Sequence, residues 1–189
     1  MLLAFQIKPS TFVNVPLPKG SPPEYVEFMR EFVDFLCSRI VDEIEFAMKT
    51  QKFAHRWDDL SDSWQRRKER LELDDRTWIA SGQLLNAVTW WERKSEGVFY
   101  VGVHPRLKHR AYKKGGHYVS KKRNVRVVDI VRWMEFGTTK MPPRPLFTPV
   151  FQMYRPKKMQ TKVYQEFVKL KAASGGESVV PSKKKKRYP

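Results

Sequence analysis

Four histidines, one cysteine and two Asp-Asp pairs are the first groups to weigh for reaction chemistry in this chain. His104, His109 and His117 fall in residues 104–126, a segment with nine Lys and Arg and no Asp or Glu. Without thiolates or carboxylates nearby, that much positive charge repels a divalent cation. The lone Cys37 excludes an intramolecular disulfide and a thiolate zinc site. Asp58-Asp59 and Asp74-Asp75 are the type of pair that holds a catalytic metal, but each is read here as a helix start, where negative charge favours the exposed N–H groups. Neither GxxxxGK(S/T) nor GxGxxG is present, and no nucleophile comes with a base and an acid to orient it. The expectation is a non-enzyme with no catalytic residues, no metal and no cofactor.

The charge points to partners instead. The net charge of +17 is regional: residues 1–103 hold 14 basic and 16 acidic side chains, a balance of −2, whereas residues 104–189 hold 23 and 4, a balance of +19. A positive surface or tail follows, and a generally basic fold does not. Within 104–126, Arg110, Lys113, Lys114, Lys121, Lys122 and Arg123 stand beside Tyr112 and Tyr118, a composition suited to phosphate neutralisation with base stacking. No sequence-reading motif accompanies them. One function class is therefore a nonspecific nucleic-acid binder using 104–126 and the lysine run 183–187.

The elements that must position these groups follow from pattern. The 189 residues, 41% apolar with six Trp, seven Tyr and twelve Phe, are enough for one domain with a real core. No apolar run is long enough to span a bilayer, so no membrane partner is expected, and residues 1–8 lack the basic start of a secretory signal. Residues 1–23 contain five prolines and read as an extended arm with little regular structure, packed on its own domain or reaching a neighbour. Ser21-Pro22-Pro23-Glu24 is a helix-start signal, and apolar residues then recur at three- and four-residue steps from Val26 to Ala47. The other face of this helix carries Glu27, Glu31 and Asp34, an acidic surface that a second copy's basic half would complement. A shorter helix over 57–72 with Trp64 and Leu71 inward, a helix capped by Ser81, and a hairpin over 89–91 and 98–103 follow. Residues 104–124 read as a long basic loop; a helix then ends at Gly137, and two more occupy 146–154 and 158–172. Residues 24–172 form the expected domain and 173–189 a flexible lysine-rich tail.

Several separated segments together resemble a known family. They are Trp57-Asp58-Asp59-Leu60-Ser61 with Lys68 downstream, Trp78-Ile79-Ala80-Ser81-Gly82-Gln83-Leu84, Tyr100-Val101-Gly102-Val103, and Glu135-Phe136-Gly137-Thr138 leading to Met141-Pro142-Pro143-Arg144-Pro145-Leu146-Phe147. Their order is similar to that of the tail-completion, or head–tail joining, proteins of tailed bacteriophages, also described as virion morphogenesis or minor tail proteins. The match spans 57–147, and the last segment is its most specific part. The basic loop is larger than the family's usual connection, and the proline-rich arm and lysine tail lie outside the match.

The resemblance implies an α+β fold: a long N-terminal helix on a small antiparallel sheet, with further helices near the C-terminus. It implies a virion protein, made in the host cytoplasm, that forms a homo-oligomeric ring at the neck. Its partners would be further copies, the tail tube and the head connector, with nonspecific contact to genomic DNA in the lumen. The proline-flanked Arg144 has a rigidly aimed guanidinium, suited to a carboxylate at a subunit boundary or inside the fold. Arg144 and Pro145 join Glu27, Glu31 and Asp34 as expected contact residues. The alternative for the turn is that it only seats Leu146 and Phe147 in the core.

Overall fold

The computed structural model describes residues 4–5, 10–14, 20–93, 98–112, 118–119 and 125–179. The fold is α+β, as the sequence leads one to expect. A helix, α1 (Pro23–Thr50), packs against a four-stranded antiparallel sheet, and α4 (Val127–Phe136), α5 (Phe147–Tyr154) and α6 (Lys157–Ala173) follow late in the chain.

The sheet has the order β1-β2-β4-β3, with β1 at Ala4–Phe5, β2 at Ser10–Asn14, β3 at Val88–Arg93 and β4 at Val98–Val103. The β3–β4 hairpin is the expected one. The first two strands are not: the arm joins the domain, with Ser10 opposite Gly102 and Val13 opposite Phe99. The reason lies between the prolines. Pro9 and Pro16 flank a proline-free Ser-Thr-Phe-Val-Asn stretch whose N–H groups remain available to a ladder.

The apolar positions read from α1 are buried from Met29 to Ala47, but burial also takes in Phe32, Phe35, Cys37, Val41 and Met48. The helix is covered on more than one side, because the sheet lies against it and α5 and α6 pack on it as well. Phe167 of α6 is fully buried and its ring sits 5.3–5.6 Å from those of Phe28, Phe32 and Phe35. Pro22, not Ser21, holds the cap position of α1, where its carbonyl accepts the N–H groups of Tyr25 and Val26.

The second helix, α2, is shorter than expected, spanning Asp62–Arg70, and neither Trp64 nor Leu71 is its buried anchor. The one α2 residue that is buried is Lys68. A five-residue helix, α3 (Gln83–Ala87), is preceded by Gly82 at φ +75° instead of a Ser81 cap. The basic segment is not a featureless loop: Lys108 bridges Arg126, and β5 (Ala111–Tyr112) pairs with β6 (Tyr118–Val119). After α6 the chain turns at Ser174–Gly176 and returns to α1, where the Val179 N–H donates to Glu31. The part of the expected tail up to Val179 therefore belongs to the domain. Among the described residues, no helix is long and apolar enough to cross a membrane.

Candidate functional site: a groove framed by side chain to backbone ties

The turn between α4 and α5 organises this region. Gly137 ends α4 at φ +74°, ψ −179°, a conformation open to glycine and strained for any side chain. A Cβ there would meet the Met141 carbonyl oxygen and the Pro143 nitrogen, each at 2.9 Å. The Thr138 N–H donates to the Met141 carbonyl at 2.8 Å, and the Arg144 N–H returns to the Met134 carbonyl at 2.7 Å, so the chain doubles back on the end of α4. Glu135, 3% exposed, accepts N–H groups of Leu146 and Phe147 on Oε2 and of Thr148 on Oε1, at 2.7–3.0 Å. It supplies acceptors to the N–H of Leu146, just before α5, and to the first two N–H groups of α5, a helix without a side-chain cap of its own.

The same turn is tied to the segments before α2 and α3. Arg144 is buried, and its Nε and Nη2 donate to the Asp58 and Asp59 carbonyls at 3.0 and 2.8 Å. In return, Trp57 Nε1 donates to the Pro145 carbonyl at 2.9 Å and Trp78 Nε1 to the Arg144 carbonyl at 3.1 Å. Lys68, 4% exposed, donates to the carbonyls of Asp75, Arg76 and Ile79 at 3.1, 2.7 and 3.2 Å, pinning the loop after α2. That loop is closed by Asp74, whose carboxylate holds the backbone and guanidinium of Arg76, and Arg76 Nη1 reaches the Lys49 carbonyl at the end of α1. Gln51, the left-handed cap of α1, bonds the Thr77 N–H from the other side.

Framed by these ties is an open groove of about 830 Å³. Trp64 and Arg67 of α2, Trp78 and Leu84 of the 77–84 stretch, and Ile130 and Trp133 of α4 line it, together with Lys68, Lys140, Arg144 and His109. Its walls are largely apolar. Their charge is positive, since Asp59 is the one carboxylate among the lining residues. Burial holds the His109 imidazole below its ordinary pKa.

The expected contact residues divide. Glu31 is engaged within the protomer by Lys171 Nζ at 2.7 Å and the Val179 N–H, and Asp34 accepts the Trp90 indole N–H at 3.1 Å. These two carboxylates tie α1 to α6 and β3, so they do not form an acidic face for a neighbour. Arg144 turns inward to carbonyls instead of to a carboxylate at a boundary, because the prolines aim it back over the 57–59 segment. Pro145 is half-buried, with its carbonyl taken by Trp57. Glu27 and Arg110 are exposed. Lys113, Lys114, Lys121, Lys122 and Arg123 lie outside the described residues. Asp74-Asp75 does not begin a helix; Asp74 serves the loop that Lys68 closes. Among the described residues, no group of three or more His, Cys, Asp and Glu is placed to hold a metal ion.

Glu135 and Lys68 are the residues whose roles the sequence left unassigned, although both lie in segments that carry the family resemblance. The available signal was a lysine in a helix with few apolar residues, and a glutamate one turn before a proline-rich reversal. Comparison with family models, with curated proteins and with solved structures finds no match for this chain.

Two variants test this framework. Gly137→Ala should destabilise the protein by about 2–4 kcal/mol in urea denaturation, combining backbone strain with the close Met141 and Pro143 contacts. Burial pulls the Lys68 ammonium down to about pKa 8 against the opposing pull of Asp74 and Asp75. Between that value and the ordinary lysine range the unfolded chain binds a proton that the folded chain does not, so stability rises with pH across this window. Lys68→Met should cost about 2–4 kcal/mol at pH 7 by stranding three carbonyls. The wild type's advantage over that variant should then grow by about 2 kcal/mol between pH 7 and 9.5. An advantage that shrinks would contradict the assignment.

Proposed function

We propose that this chain is a structural protein of the bacteriophage virion, a homo-oligomeric ring at the neck that completes the tail and joins it to the head connector. The observation that carries this reading is the convergence of three of the four ordered segments on one network and one groove. Residues 57–61 with Lys68, residues 78–84 and residues 135–147 are far apart in the chain, yet they bond one another's backbones. The fourth, 100–103, belongs to β4, an inner strand of the sheet on which α1 packs.

The chemistry of those bonds supports a non-enzymatic role. The polar ends of Glu135, Arg144, Trp57, Trp78 and Lys68 each satisfy main-chain groups, so they shape a surface rather than face a substrate. A rigid apolar surface with positive walls is what a protein partner would use. Further copies, the tail tube and the connector are the partners this reading names. The exposed Arg106, Lys108 and Arg110, which lead into β5, would serve nonspecific DNA contact in a ring lumen.

Native mass spectrometry and negative-stain imaging of the full chain, alone and with purified tail tubes, test the proposal. Closed rings that cap tube ends are expected. Monomers alone at high concentration, combined with tight salt-dependent DNA binding, would contradict it and favour the nucleic-acid reading.

A further inference from the structure

The last helix carries a row of cations on its outer face. Lys158, Lys162 and Lys169 of α6 are exposed and recur at steps of four and seven residues. That spacing sets them in one line on the helix, opposite the buried Val163 and Phe167. Among the described residues, none of the three ammonium groups has an ion-pair or hydrogen-bond partner. Glu166, the one carboxylate of α6, is held by Arg39 of α1 at 3.0 Å. Arg155 and Lys157 are exposed where the helix begins and extend the positive surface.

The fold brings the chain end to the same helix. Lys171 Nζ and the Val179 N–H meet on the two carboxylate oxygens of Glu31, at 2.7 and 3.2 Å, so residue 179 sits beside the last turn of α6. The Ser174 hydroxyl, 3.0 Å from the carbonyls of both Lys171 and Glu177, closes the turn between them. Lys183 follows Val179 by four residues, about 14 Å of chain at most, and opens an unbroken run of five cations to Arg187. The start of that run is therefore anchored against one end of the α6 row, with the exposed Glu177 as the one carboxylate in residues 170–183.

We propose that the α6 row and the lysine run form one track for the phosphate backbone of duplex DNA, bound without regard to base sequence. From Lys158 to Lys169 the row is about 16 Å long, a length over which a duplex presents roughly ten phosphates. Lysine ammonium groups on flexible stems suit phosphates as point charges and read no sequence. The ring of Tyr164 packs edge-on against Phe28 and Phe32, at 6.4 and 5.2 Å, which sets the face against stacking on single-stranded bases. An anionic membrane is disfavoured because α6 spends its apolar face, Val163 and Phe167, on α1 and α5. Val168 and Leu170 are exposed singly on opposite flanks of the row, so they offer a protein partner no apolar patch. One protomer carries the whole track, so the inference goes beyond the ring reading and does not rest on it.

Fluorescence anisotropy of two unrelated duplexes of equal length, titrated with the full chain over a range of salt, tests the track. Both duplexes should bind equally, with log affinity falling linearly with log salt. The variant Lys158→Ala/Lys162→Ala/Lys169→Ala should keep the wild-type circular dichroism spectrum, since all three positions are exposed. It should bind at least about tenfold more weakly at about 0.1 M salt, with a slope shallower by about 2–3. Alanine at all of 183–187 should flatten the slope as well. A control, Arg66→Ala/Arg70→Ala/Arg132→Ala, removes the same charge from exposed positions on α2 and α4 and should change the slope by less than about one. Equal slopes for the wild type and the α6 variant overturn the inference, and so does an equal loss in the control. Binding to vesicles of equal parts phosphatidylserine and phosphatidylcholine, without binding to the duplexes, also overturns it. Native mass spectrometry of the same samples separates this inference from the ring reading. Rings that do not bind the duplexes overturn the track alone, and monomers that bind them through α6 overturn the ring alone.

Discussion

A buried carboxylate at the end of one helix, bonded to the first N–H groups of another, is the constraint on which the C-terminal half depends. α5 begins immediately after a proline-rich reversal, so no residue just before it caps the helix. Its early N–H groups lie against the core, where unpaired donors each cost about 1–3 kcal/mol. Glu135 supplies the missing acceptors from α4. That single choice fixes α4 against α5, and α5 in turn packs on α1. The intervening chain must then reverse within a few residues, which is why a glycine with positive φ stands at 137 and prolines stand at 142, 143 and 145.

The region between α1 and α3 follows the same logic by different means. It has little regular secondary structure, and its carbonyls are satisfied by long side chains reaching in from elsewhere. Arg144 takes those of Asp58 and Asp59, and Lys68 takes three beyond α2. At neutral pH both cations are charged, so the ties that hold the loops also place positive charge in the groove wall, partly offset by Asp58, Asp59, Asp74 and Asp75 nearby. Structure and surface chemistry here have one origin. The ring proposal draws on it.

How much of this was legible in the sequence varies by element. The α1 seam and the β3–β4 hairpin were readable because burial on one face leaves a periodic signal. The stop at Gly137 was readable because a glycine between an apolar helical stretch and a proline turn marks the end of a helix. The strand at Ser10–Asn14 was hidden by the prolines around it, which dominate composition without occupying the ladder positions. The engagement of Glu31 and Asp34 within the protomer is hidden from the sequence because the pattern of one helix does not record that α6 and β3 lie against it. The roles of Lys68 and Glu135 leave no such trace. Their partners are main-chain groups, which no side-chain pattern encodes.

The claim that Glu135 holds the start of α5 is tested most directly by amide hydrogen exchange at Leu146, Phe147 and Thr148 in Glu135→Gln, measured residue by residue by NMR. The glutamine keeps the shape but offers one oxygen and one amino group in place of two acceptors. Exchange of at least one of the three amides should accelerate well beyond any change at α1, with a loss of about 2–4 kcal/mol in overall stability. Three amides as protected as in the wild type, in a protein of unchanged stability, would contradict the account.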